Sequence, residues 1–148
     1  MNIAYFLLPK SEVAFLYDDN SFRQGLEKMR RNGYSSIPVI SRNGKYVGTV
    51  SEGDFLWHLL DADPTNPQVH SMKDMEQLYI KDILREDAYP SVRITITMDE
   101  LLQHAAHQNF IPVVDDLENF IGIVTRKDII LYFSEKKQSP AKPLRQIV

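Results

Sequence analysis

Cysteine is absent from the 148 residues, which rules out disulfides and thiolate metal sites and leaves the redox compartment unread. Long apolar runs are missing too. No stretch approaches the roughly 18 residues of a membrane span, and the apolar start, Met1 to Leu8, has no basic flank and is cut short by Pro9 and Lys10. It does not read as a signal peptide. The expectation is a cytoplasmic chain with no membrane partner. Positive charge is also short, with 17 Lys and Arg against 20 Asp and Glu, and a net charge of −3 argues against general nucleic-acid binding. The last 15 residues are the exception: Lys136, Lys137, Lys142 and Arg145 against Glu135 give +3 and leave −6 on the body. No Ser/His/Asp order, phosphate-loop motif or pair of acids stands out, so neither catalytic residues nor a cofactor is expected, and the chain does not read as an enzyme. His104 and His107 share a helix face at i, i+3, a spacing that can hold a metal. No nearby acid completes a ligand set, so they read as a solvated face and no metal site is expected.

What the chain does have is a stretch carried twice. Ser35-Ser-Ile-Pro-Val-Ile, followed by Val47-Gly-Thr-Val-Ser-Glu-Gly-Asp54, recurs as Asn109-Phe-Ile-Pro-Val-Val followed by Ile121-Gly-Ile-Val-Thr-Arg-Lys-Asp128. The offset is 112 − 38 = 74, without a gap. Ile37/Ile111, Pro38/Pro112, Gly48/Gly122 and Asp54/Asp128 are identical, and Ser51/Thr125 are both hydroxyls. Self-similarity of this kind sets the architecture. Each half is too small to bury a core of its own, so the two should share one.

The first half reads as a short strand over Val13–Tyr17, a turn and cap at Asp18–Ser21, and a helix carrying Phe22, Leu26 and Met29 at helical spacing that Gly33 closes. A strand over Ser36–Ser41, an Asn-Gly hairpin, a strand over Tyr46–Val50 and a helix from Ser51 follow. Asp61–Lys73 is the expected connector, and Met75–Leu84 looks helical. The second half repeats the order: a strand over Val92–Thr95, a helix over Thr97–Gln108 with Met98, Leu101, Leu102 and Ala105 inward, strands over Phe110–Asp115 and Phe120–Val124, then a helix from Thr125. The helices align at an offset of 76, which places a two-residue deletion near the segment joining helix to strand. Residues 1–66 are expected to form unit one with an N-terminal arm, 67–136 unit two with the connector, and 137–148 a flexible basic tail.

A strand, then Ser/Thr-x-x-Asp, then a helix has its own chemistry. The hydroxyl caps the helix, whose free first-turn N–H groups and dipole suit a phosphate. The Asp carboxylate can accept two hydrogen bonds, as a ribose cis-diol would supply. The same pattern is also a capping box, which needs no ligand. Its occurrence twice, each time after Gly-x-Val and a hairpin, favours the ligand reading. A glycine in a strand often marks close approach by a ligand or another backbone. Ile37-Pro38 and Ile111-Pro112 read, taken alone, as edge strands; in the ligand reading they would supply strands with an opening, where backbone groups read a purine edge while the isoleucines pack on its faces.

With these motifs in place, the chain resembles a tandem pair of cystathionine-β-synthase (CBS) domains, a stand-alone Bateman module, over about residues 1–135. The resemblance implies an α+β fold of two pseudo-symmetric β-α-β-β-α units packed sheet to sheet with two clefts between them, and a disc-like homodimer. It implies a non-catalytic sensor of adenosine ligands (AMP, ADP, ATP, S-adenosylmethionine or cyclic di-AMP) that transmits ligand state to a protein partner. Asp54 and Asp128 match the ribose carboxylate, Ser51 and Thr125 the hydroxyl near phosphate, and the residues around Ile37-Pro38 and Ile111-Pro112 the adenine-contacting strand. Asn109 departs from the pattern, standing where a glycine-type turn residue is usual. The two sites differ. Arg126 and Lys127 put cations beside the second phosphate position, whereas Glu52 puts a carboxylate beside the first. The more highly charged ligand is therefore expected at Thr125/Asp128. The competing reading is a dimerisation module whose Ser/Thr-x-x-Asp turns are only helix caps.

Overall fold

The computed structural model describes residues 2–60, 74–85 and 88–137. The expected connector at Asp61–Lys73, the unit boundary at 66/67 and the expected tail beyond 137 lie outside the described residues.

In unit one, strands β2 (Leu16–Tyr17), β3 (Ser36–Ile40) and β4 (Tyr46–Ser51) form a sheet in that order, with helices α1 (Phe22–Asn32) and α2 (Glu52–Leu60). Unit two repeats this with β5 (Val92–Arg93), α3 (Met98–Ala105), β6 (Phe110–Val114), β7 (Phe120–Thr125) and α4 (Arg126–Lys137). Local chemistry explains the boundaries. Ser21 caps α1 with a capping box: its Oγ accepts from Gln24 N at 3.1 Å while its own N–H donates to Gln24 Oε1 at 2.8 Å. Gly33 stops the helix at φ 68°, a left-handed backbone that glycine adopts without penalty. Thr97 caps α3 with its hydroxyl alone, which accepts from Glu100 N at 3.2 Å. The helix α3 is three residues shorter than α1 (8 against 11) and the segment after it one residue longer (106–109 against 33–35), so the net two-residue deletion falls in the helix and not in the segment after it.

The repeat extends to register. Pro38 pairs with Thr49 and Val39 with Gly48; Pro112 pairs with Ile123 and Val113 with Gly122; both hairpins then bulge at the next residue. The two prolines sit in central strands, not on edges. They are tolerated because β2 reaches only Val39 and Ile40, and β5 only Val113 and Val114. The missing proline N–H groups therefore fall where no neighbouring strand is present to receive them.

The segment ahead of each unit packs on the other unit. Ile3 and Phe6 enter unit two's core with Leu101 and Val124. Strand β1 (Leu8–Pro9) adds antiparallel to β7, pairing Leu8 with Ile123 and Pro9 with Gly122. Reciprocally, Ile80 and Ile83 join Phe22 and Phe55 in unit one's core. Core membership and chain order thus do not coincide. A third cluster, with Val13, Ile40 and Phe120 buried and Tyr46 and Ile123 packed against them, joins the two sheets. Tyr46 stacks on Phe120 with ring centroids 6.2 Å apart. Apolar burial of this kind is the main stabilising term, and here it makes the units one body.

Several expected elements differ. Met75–Leu84 is not one helix but two 3-10 turns, Asp74–Gln77 and Ile80–Asp82. The backbone between them is bonded elsewhere: Ile80 N donates to Asn20 O, Lys81 N to Asp18 O, and Leu78 O accepts from Phe22 N. Those bonds compete directly with a helical ladder. The Val13–Tyr17 and Val92–Thr95 strands shrink to two residues each. Leu102 is 37% exposed rather than inward, because the stripe Met98, Leu101 and Ala105 already turns the buried face of α3 away from it.

Candidate functional site

A cavity of about 340 Å³ and another of about 330 Å³ adjoin the second Ser/Thr-x-x-Asp turn. The smaller lies between the units. Val13, Ala14, Ser36 and Pro38 come from unit one, and Asn109, Ile123 and Thr125 from unit two. The larger is lined by Leu7, Leu8, Asp128, Leu131 and Tyr132. Leu8 lines both, so Thr125 and Asp128 stand at the two sides of one strand residue. Volumes near 300 Å³ are at the small end of those that hold organic ligands.

Thr125 ends β7 and its Oγ1 accepts from Asp128 N at 3.1 Å. The turn is further pinned by Arg126 N, which donates to Asn109 O at 2.9 Å. The Asp128 carboxylate is exposed and pairs with no described residue. Lys127 is exposed beside it. Arg126 is placed differently: its Nε donates to Ala105 O at 2.7 Å and Gln108 O at 3.1 Å. That edge of its guanidinium therefore closes the C-terminal end of α3 instead of standing free at a phosphate position.

The first copy shares the backbone and differs in its partners. Glu52 N donates to Ser35 O at 2.9 Å, the counterpart of the Arg126–Asn109 bond. Asp54 is only 6% exposed. Its Oδ2 accepts from Ser51 N at 2.8 Å and Ser51 Oγ at 3.1 Å, and Asp54 N returns a bond to Ser51 Oγ at 3.3 Å. Its Oδ1 lies 2.7 Å from Arg85 Nε. This carboxylate is fully engaged with the protein. Above it, Tyr46 Oη donates to Tyr89 O at 2.6 Å and shares a 2.8 Å bond with Thr49 Oγ1. Burial holds the Tyr46 phenol well above its usual range. The Tyr89 and Phe110 rings lie 5.3 Å apart.

Ile37 and Ile111 are fully buried, each in its own unit's core. Their expected packing on the faces of a ligand is therefore not available; Pro38 reaches the open cavity, together with Ser36 of the same strand and Phe110 of β6. Pro112 occupies the matching register in β6. The strand glycines have a backbone reason. A Cβ on Gly122, at φ 155°, would stand 2.2 Å from Leu8 O, and one on Gly48 would stand 3.0 Å from Leu84 Cδ2. Close approach by the exchanged arm requires glycine at 122, where the contact is backbone, and crowds position 48 with the end of a side chain. His104 Nδ1 faces Gln108 Oε1 at 3.1 Å, and no described group of His, Asp and Glu is arranged to hold a metal. No described helix is long and apolar enough to cross a membrane. Sequence reasoning missed Leu8, Val13, Arg85 and Tyr89. The signal was present in part, since the helix offset of 76 pairs Val13 with Tyr89.

The CBS domain family model matches the chain twice, over residues 7–61 and 80–135. An uncharacterized protein of Methanocaldococcus jannaschii is 28% identical, over 78% of this chain and 82% of the relative. Other curated relatives are longer, and the chain spans 20% to 48% of their length. Among solved structures, CbpB in complex with c-di-AMP superposes with a TM-score of 0.78 at 25% identity, covering 90% of this chain and 85% of the other. CBSX2 in complex with AMP superposes with a TM-score of 0.70 at 22% identity, covering 93% and 98%.

Proposed function

Because the chain belongs to the CBS domain family, we propose that it is a non-catalytic regulatory module that binds an adenine nucleotide in the cleft between Pro38 and Thr125. The observation that carries this is the Asp128 carboxylate, exposed beside a cavity and without a described partner. A ribose cis-diol would supply the two donors it lacks, in charge-assisted bonds of roughly 1.5–3 kcal/mol each. Thr125, the first-turn N–H groups of α4 and Lys127 would take phosphate. Val13, Ala14 and Ile123 would lie against the base, with the uncovered half of β3 around Pro38 reading its edge. That CbpB and CBSX2 bind c-di-AMP and AMP supports the ligand class. The rival reading, a turn that only caps its helix, fits Ser51 and Asp54, whose side-chain oxygens are all engaged within the protein.

Transmission would run through a homodimer, with the chain acting as a cytoplasmic module that a protein partner reads. Leu56, Trp57 and Leu60 on α2, and Ile130 and Leu131 on α4, are exposed apolar side chains. Trp57, at 66% exposure, is the largest of them. A ligand bound across the cleft would favour one arrangement of the helices only by its differential affinity for it.

Calorimetry and thermal unfolding with AMP, ATP and cyclic di-AMP test the binding. A nucleotide at a hundred times its Kd should stabilise the fold by about 2.7 kcal/mol, and Asp128→Ala should abolish most of that gain. Equal affinity of wild type and Asp128→Ala would overturn the assignment. Sedimentation of Trp57→Glu, expected monomeric against a dimeric wild type, tests the interface.

A further inference from the structure

We propose that the first cleft of the repeat is plugged by the chain's own Tyr89 and Arg85, so that the protein takes one nucleotide per chain although it carries the binding turn twice. The inference rests on the reading of the Thr125 cleft and goes on to set its stoichiometry.

The pseudo-symmetry of the sequence identifies the equivalents. Residues before each first helix match at an offset of 76 and those from β3 onward at 74. The open cleft is lined by Val13, Ser36, Ile123 and Thr125. The matching positions in the first cleft are Tyr89, Phe110, Thr49 and Ser51. A valine and a serine are thus replaced by two aromatic rings, which meet at 5.3 Å, a separation typical of paired aromatics. Tyr46 holds Tyr89 in place from behind, bonding its carbonyl and Thr49 at once. Phe120 stands at the Tyr46 position of the other copy and has no hydroxyl to do the same.

The acid is blocked as well. Both oxygens of Asp54 are bonded, one of them to Arg85 at 2.7 Å. A diol entering there would have to displace the guanidinium, exchanging an ion pair for bonds from uncharged hydroxyls and leaving Arg85 without its partner. Pro9 stands at the Arg85 position of the other copy and has no charged group, and no described cation pairs with Asp128. The Arg85 side chain is 61% exposed, so the contact lies at the surface and is not part of the core; outside it, Arg85 and Tyr89 border a cavity of about 300 Å³ with Tyr46 and Gly48.

Titration calorimetry of the full chain with AMP tests this on wild type, Arg85→Ala and Arg85→Ala/Tyr89→Val. Wild type should bind one AMP per chain and lose it in Asp128→Ala. The double variant should bind two. Two sites in wild type, or one in both wild type and the double variant, would overturn the plug and leave the Thr125 reading standing. No site in wild type but one in the double variant would support the plug and refute that reading. No site in either refutes both. Should the double variant not fold, Arg85→Ala, altered only at an exposed side chain, carries the test: it should show a second, weaker site, and its absence would overturn the plug.

Discussion

The exchanged packing can be tested without any ligand, through the contact between Gly25 and Ile80. Gly25 lies inside α1, where alanine would normally stabilise a helix by about 0.5–1 kcal/mol. Here a Cβ would fall 2.4 Å from Ile80 Cδ1 and 3.1 Å from Leu16 Cδ1. Overpacking a full core costs about 1–3 kcal/mol, so Gly25→Ala should be destabilising by roughly 1–2 kcal/mol net. Ile80 is fully buried. Ile80→Val removes only Cδ1, the atom in the way, at a cost of about 0.5–1.5 kcal/mol. The two changes answer one another: the methyl added at Gly25 enters the space that Cδ1 leaves. The double variant should therefore be no less stable than Ile80→Val alone, a coupling of at least about 1 kcal/mol in a double-mutant cycle. Urea denaturation of the four proteins measures it. Additivity within about 0.5 kcal/mol, the behaviour of independent sites, would refute the packing of this segment on unit one.

Further outcomes follow from single positions. Gly122→Ala meets the backbone oxygen of Leu8, which cannot swing away, whereas Gly48→Ala meets the flexible end of Leu84. The first should cost at least about 2 kcal/mol and the second clearly less, by denaturant unfolding. Gly44, at φ 85°, and Glu118, at φ 68°, hold the same place in the two hairpin turns. Gly44→Ala should lose about 1 kcal/mol, while Glu118→Gly should be neutral or stabilising by up to about 1 kcal/mol, less whatever its exposed pair with Arg93 contributes. Asp115 accepts from the backbone N–H groups of Asn119 and Leu117, and the Asn119 bond is the chief reason its carboxyl is held below the usual range. A folded-state value lower than the unfolded one gives stability that is present above about pH 4 and lost as pH falls through the folded value. Asp115→Asn should therefore flatten the fall of stability below pH 4, as measured by urea midpoints across that range.

The sheets, the helices α1–α4 and the pairing of the two halves were legible because each rests on local signals: Asn-Gly at a hairpin, Ser21 and Gly33 at helix ends, apolar positions at helical spacing. The candidate turn was legible for the same reason, since Ser/Thr-x-x-Asp is one turn of chain. Other features were not. Helical spacing over Met75–Leu84 pointed to a helix, and backbone bonds to Asp18 and Asn20, some 60 residues away, broke it into two turns. Gly48 and Gly122 marked a close approach, but the sequence could not say that the approaching group was the chain's own arm. Arg126 read as a phosphate cation because its neighbours did, whereas its Nε is bonded to carbonyls at the end of another helix.

By itself, then, the sequence determined a duplicated unit, its strands and caps, and the acid-bearing turn in each copy, because these depend on neighbours within a few residues. Tertiary structure decided which copy keeps its carboxylate exposed. Two copies of one motif came to stand in different surroundings when long-range packing brought Arg85 and Tyr89 to the first and left Asp128 exposed beside a cavity in the second. Partners so distant in the chain carry no periodicity of their own, and only the folded arrangement brings them together.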